Sequence, residues 1–103
     1  MTSTFTPSGR GTLICSHKVE NFDTWKAGYD ATTSWKPKFG WQQGTVFTAD
    51  GDRNNVTVVE EFDTVENAKK FASAPELQAA MSGAGVASAP DIRFFVHVGN
   101  SKS

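Results

Sequence analysis

The sequence predicts an α+β fold, a ferredoxin-like βαββαβ sandwich in which a four-stranded antiparallel sheet carries two helices on one face. Three observations lead there. Apolar and polar residues alternate in Thr12–Val19 and again in Asp91–Val98, the period-two mark of half-buried strands. Two stretches with apolar residues at helical spacing follow residues 20 and 63. Between them, the dense turn signal Asp50-Gly51-Asp52-Arg53-Asn54-Asn55 joins two β-prone runs into a hairpin. With 103 residues the chain has material for one core, and 38% hydrophobic residues including 8 Phe and 3 Trp make it too apolar to stay disordered.

The elements follow in order. Met1–Gly11 holds Pro7, Ser8, Gly9 and Gly11 with Phe5 as its one large apolar residue, and is expected to form a mobile arm before a single domain over residues 12–98. The first strand places Leu13, Cys15, His17 and Val19 on its more apolar side. Asn21 offers a cap to a helix spanning Phe22 to Trp35, with Phe22, Trp25 and Tyr29 along one stripe, ended by Pro37 and Gly40. Thr45–Ala49 and Val56–Phe62 are the hairpin strands. Asp63 or Thr64 caps a second helix from Val65 to Met81, kinked or split at Pro75. After the flexible Gly83-Ala84-Gly85, Asp91–Val98 is the last strand, and residues 99–103 form a tail.

Right-handed crossovers would set the first and third strands side by side and parallel in the centre, the last strand antiparallel to the first. Helices on one face leave the other bare. Phe95, with Ile14 or Val59, falls on that outward parity, so pairing of two sheets into a homodimer is expected.

Composition narrows the functions. Ten Lys and Arg against eleven Asp and Glu give a net charge of -1, which predicts no nucleic-acid partner and no membrane surface as partner. The single Cys15 excludes an intrachain disulfide and a Cys-cluster zinc site. No apolar run reaches the roughly 18 residues of a membrane span, and the N-terminus lacks the apolar segment of a secretion signal, so a cytoplasmic protein is expected. Gly9-Arg10-Gly11 lacks the rest of a dinucleotide loop, and the Asp50–Asn54 turn lacks the closing glutamate of a calcium loop. The Asn55-Val56-Thr57 sequon reads as chance in a chain without a secretion signal. No metal or organic cofactor is expected.

Two histidines can shuttle protons near neutral pH. His97 lies beside the polar tail and reads as a solvent or interface residue. His17 shares the inward parity of Leu13 and Cys15, which would bring its imidazole into the cleft under the helices, either as a base or as a core histidine bonded to one neighbour. Glu60, on the strand taken as its parallel neighbour, would orient the imidazole, or else pair with Arg93 or Lys18 as a structural ion pair. His17 and Glu60 are the candidate catalytic residues, and Trp25, Tyr29, Phe62 and Arg93 the candidate substrate-binding ones. Trp35 and Trp41 flank Lys36–Gly40, a loop aromatic enough to close the pocket mouth or pack on a partner subunit. Cys15 reads as a buried structural thiol.

The run His17-Lys18-Val19-Glu20-Asn21-Phe22-Asp23-Thr24-Trp25-Lys26, the stretch Val58–Asp63 with Glu66 and Ala68 behind it, and Ala74-Pro75-Glu76-Leu77 resemble the antibiotic-biosynthesis-monooxygenase-like branch of the dimeric α/β barrel superfamily. The resemblance covers residues 12 to 98. It implies a pocket between sheet and helices, a dimer through the sheet faces, and a Glu-x-aromatic signature matched by Glu60 and Phe62, where Trp often replaces the Phe. Haem-degrading relatives carry a histidine on the second helix near the place of Phe71, and none occurs there. The resulting expectation is an enzyme without cofactor that removes a proton from a small aromatic or polyketide-like substrate, as a monooxygenase or a cyclase. The alternative is a dimeric binding module for an apolar ligand, and a weaker one a haem-binding or haem-degrading protein.

Overall fold

The computed structural model describes residues 10–83, 85 and 87–101. The elements are β1 (Gly11–Lys18), α1 (Phe22–Ala31), two 3-10 turns (Thr32–Ser34 and Lys36–Phe39), β2 (Trp41–Ala49), β3 (Asp52–Phe62), α2 (Val65–Ala72), α3 (Pro75–Gly83) and β4 (Asp91–Val96). They form the expected α+β ferredoxin-like fold, one four-stranded sheet in the order β2-β3-β1-β4. The arm expected at the N-terminus lies, up to Gly9, outside the described residues, as do Ala84 of the glycine segment and the last two residues of the tail.

One expectation is corrected here. β1 and β3 are neighbours but antiparallel, with Leu13 opposite Glu60, Cys15 opposite Val58 and His17 opposite Val56. β1 and β2 run the same way because α1 returns the chain, and β3 then reverses through the hairpin, so the centre of the sheet must be antiparallel.

Local chemistry explains the boundaries. The Asn21 side chain accepts from the Thr24 amide at 3.0 Å and starts α1. This helix ends at Ala31 rather than Trp35, because the hydroxyls of Thr32, Thr33 and Ser34 turn back to the carbonyls of Tyr29, Asp30 and Ala31 at 2.6, 2.8 and 3.0 Å. Such bonds compete with helix continuation, and the chain tightens into 3-10 turns. Gly40, at φ 84°, releases it into β2. Thr64 caps α2 through the Asn67 amide at 3.1 Å, and Pro75 opens α3 as a separate helix, as the split at Pro75 requires.

The inward sides of β1 and β3 supply Leu13, Val56, Val58 and Phe62 to the core, where they meet Trp25 of α1 and Ala68 and Phe71 of α2. Burying each of the larger of these side chains is worth about 1.5–3 kcal/mol. α2 lies close on β1 because Gly11 has no side chain; a Cβ there would run into the Val65 backbone.

Candidate functional site

Between the sheet and the helices lies a cavity of about 60 Å³. Its strand wall is Leu13, Cys15 and His17 from β1 with Val58 and Glu60 from β3, all on one face since the period of a strand is two. Its helix wall is Trp25 and Tyr29, one turn apart on α1 and stacked with ring centroids 5.2 Å apart. Leu77 and Met81 of α3 form the outer side, and with Ile92 they separate this cavity from a wider surface groove of about 550 Å³. No residue of α3 is buried, so this partition is thin. The inner cavity is smaller than the ~150 Å³ hollow that holds a benzene ring, so an aromatic ligand fits only where the lining gives way.

His17 sits at one end, 6% exposed. Its Nδ1 faces the Cys15 Sγ at 3.5 Å, Trp25 packs edge-on at 5.8 Å, and Nε2 is buried with no hydrogen-bond partner among the described residues. Burial alone pushes its pKa below the usual histidine value, so the ring is neutral at pH 7. Burial, reinforced by the negative charge of Glu60, pushes the Cys15 thiol up to about 11. Cys15 is therefore a protonated, inert neighbour, as its sequence context implied.

The other end is charged. Glu60, 3% exposed, accepts from the Lys36 ammonium at 2.9 Å through Oε2, and through Oε1 from Trp41 Nε1 at 2.8 Å and the Tyr29 hydroxyl at 3.1 Å. Lys36, 2% exposed, also lies 3.8 Å above the Tyr29 ring. Burial lowers the Lys36 pKa while Glu60 works against that, and burial beside Glu60 drives the Tyr29 hydroxyl far above its ordinary value.

The expected His17–Glu60 dyad does not form. In the antiparallel register Glu60 stands opposite Leu13, four residues along β1 from His17, which is ~13 Å of strand. Three donors occupy the Glu60 carboxylate, and its partner is Lys36 rather than Arg93 or Lys18. Of the expected substrate-binding residues, Trp25 and Tyr29 line the cavity. Phe62 is wholly buried against Phe71, ring centroids 5.2 Å apart, away from the cavity lining. Arg93 is on the wrong face: β4 turns Ile92 and Phe94 inward, so Arg93 is exposed on the outer side and pairs with Asp91 at 3.4 Å. Of the loop expected to close the pocket mouth or pack on a partner subunit, Lys36 lines the cavity, Trp35 and Phe39 pack on Phe71 of α2, and Trp41 is the first residue of β2.

Sequence reasoning missed Lys36. Its signal was its setting, a lysine inside Trp-Lys-Pro-Lys-Phe-Gly-Trp, where a turn with that many aromatic residues must fold inward and take its neighbours along. Gly44 was missed too. A side chain at this strand position would collide with the Tyr29 hydroxyl and Glu60, the close approach that a glycine within a strand signals. Among the described residues no three of His, Cys, Asp and Glu converge as metal ligands, and no helix is long and apolar enough to cross a membrane.

No protein-family model matches the sequence, and no curated protein matches it. Solved structures do. A candidate antibiotic biosynthesis monooxygenase from Bordetella bronchiseptica superposes with a TM-score of 0.74 at 18% identity, covering 87% of this chain and 98% of that one. SnoaB, a cofactor-independent oxygenase from Streptomyces nogalater, gives 0.74 at 9% identity over 90% and 97%. A dimeric protein of unknown function and ferredoxin-like fold from Bacteroides fragilis gives 0.64 at 16% identity over 89% and 100%. The fold is thus that of the antibiotic-biosynthesis-monooxygenase-like ferredoxin-fold proteins, in agreement with the resemblance carried by the sequence. At these identities the likeness is one of fold.

Proposed function

We propose that the protein is an enzyme without cofactor that takes a proton from a small aromatic or enolisable substrate with His17 as the base. The observation that carries this reading is the buried Nε2 of a neutral histidine, unpartnered among the described residues, at the end of the cavity away from the Lys36–Glu60 pair. A buried polar atom left without a partner costs about 1–3 kcal/mol, a cost removed when a ligand supplies the missing hydrogen bond. In the tautomer whose Nδ1 proton points at the Cys15 sulfur, the Nε2 lone pair is free to accept, and this is the tautomer the proposal requires.

Removal of a C–H or O–H proton leaves the substrate as a carbanion or phenolate. Dioxygen can then act as the oxidant: the carbanion adds to it, takes up a proton as a hydroperoxide and loses water, leaving a carbonyl where a CH₂ group stood. An internal carbonyl attacked by the same carbanion would give a cyclase instead. The similarity in fold to a cofactor-independent oxygenase supports the first course. The bare outer sheet face supports a homodimer, as does the likeness to a dimeric protein.

Nitrobenzisoxazole tests the base directly, since loss of its ring C–H proton opens the N–O bond to a coloured phenolate. The wild-type protein should accelerate this elimination beyond free imidazole at equal concentration, and a folded His17→Gln variant should lose at least about a hundredfold in kcat/KM. A second reading, a binding module without chemistry, is favoured by the lack of any carboxylate on His17 Nδ1. Saturable binding of the probe with equal slow rates in both proteins would establish it.

A further inference from the structure

We propose that Lys36 recognises the ligand, its ammonium donating to a negatively charged oxygen at the end of the cavity opposite His17. The ligand class follows: a phenol or enol conjugated to a second oxygen, so that a proton lost at one end places charge at the other. This rests on the reading of His17 as the base and deepens it.

The argument starts from why a lysine is buried here. A buried ion pair is on average no more stabilising than an apolar pair of the same volume, so the fold alone gives no reason for Lys36–Glu60. The ammonium has three N–H donors, and among the described residues it makes one hydrogen bond, to Glu60 Oε2. The flat faces of Tyr29 and Trp41 lie 3.8 and 5.2 Å from Nζ and hold it without using its donors in conventional hydrogen bonds. Glu60 cannot turn away, because Trp41 and Tyr29 fix its other oxygen. Lys36 is thus a pre-positioned donor among the residues that line the cavity.

The geometry of the wall then selects the ligand. From His17 the lining runs along the rings of Trp25 and Tyr29, at centroid steps of 5.8 and 5.2 Å, to Nζ above Tyr29. A flat molecule against this wall meets apolar surface along its length and a polar donor or acceptor at its two ends. Charge balance agrees. Lys36 and Glu60 cancel, and proton transfer to His17 pairs an imidazolium with the ligand anion, so no net charge is buried.

Para-nitrophenol is the probe, its ionisation read from the visible phenolate band in titrations across a pH series. Wild type should bind it saturably and ionise it at lower pH than in free solution. Lys36→Met with Glu60→Gln, which removes both charges together, should bind the phenolate at least about tenfold more weakly and lose that shift, while still binding uncharged para-nitroanisole. If this double variant does not fold, Lys36→Gln with Glu60→Gln, which puts polar groups in place of both charges, should show the same loss. Equal phenolate affinity in wild type and the folded variant, parallel loss of para-nitroanisole, or no saturable binding by wild type would each overturn the proposal. None of these outcomes depends on proton abstraction, which the His17→Gln elimination rate reads separately.

Discussion

His17 lies at the junction of stability and chemistry. Its pKa is lowered because burial disfavours the imidazolium, and among the described residues no carboxylate offsets that. In the unfolded chain a histidine titrates near 6.5. Above that pH both states carry a neutral ring, so its titration costs the fold nothing. As the pH falls through that value the unfolded chain takes up a proton that the native ring refuses, and stability declines until the lower native pKa is reached, at up to ~1.4 kcal/mol per pH unit for this group. Urea unfolding at several pH values between about 7 and 5 should show a steeper acid-side loss in wild type than in His17→Leu, where the titration is absent. Parallel slopes in the two proteins would show that His17 protonates freely in the native state. His97, part-buried and bonded to Asn100 at 3.0 Å, is present in both proteins.

At the scale of elements, the sequence carried the inward parity but not the direction of the strands. Alternation along Leu13–His17 and Val56–Phe62 correctly puts His17 and Glu60 on one face, because period two is a local property. Whether the two residues meet depends on register, which comes from the hairpin and the crossover, and antiparallel pairing moves Glu60 to the level of Leu13. The end of α1 was hidden for another reason: apolar spacing continues to Trp35, but the consecutive hydroxyls of Thr32–Ser34 outcompete the helix. That early end is what swings Lys36 inward to Glu60. Gly11, expected to belong to the arm, is instead the point where α2 touches β1. Its position is fixed from both sides by pairing with Phe62 and Val96, so neither backbone can yield to a new side chain. Gly11→Ala should therefore destabilise the protein by about 1–3 kcal/mol in urea unfolding, and unchanged stability would mean that α2 can ride up without loss.

At the scale of the whole molecule, the helices cover one face of the sheet and leave the outer face bare. Cross-strand register places Ile14 beside Val59 and Arg93, Phe95 beside Thr12, and Phe47 beside Thr57 on this side. Phe47 is 54% and Phe95 46% exposed, with the part-buried Ile14 and Val59 between them. A monomer rarely keeps a contiguous apolar surface of this kind in water, and a second copy related by a two-fold axis offers the same stripe in return. Charged Arg93 and Glu61 on the same face restrict how the two stripes can cross, since like charges would otherwise meet. Sedimentation at micromolar concentration should give a particle of twice 11.1 kDa for wild type. Phe95→Lys, which sets a cation into its own symmetry mate's apolar stripe, should shift it to the single-chain mass with its circular dichroism retained. The cavity draws its strand residues from the opposite face, so a folded Phe95→Lys monomer should keep the nitrobenzisoxazole elimination rate per chain. Dimer mass in the variant would exclude Phe95 from the interface, and a rate lost together with the dimer would mean that the partner subunit completes the pocket.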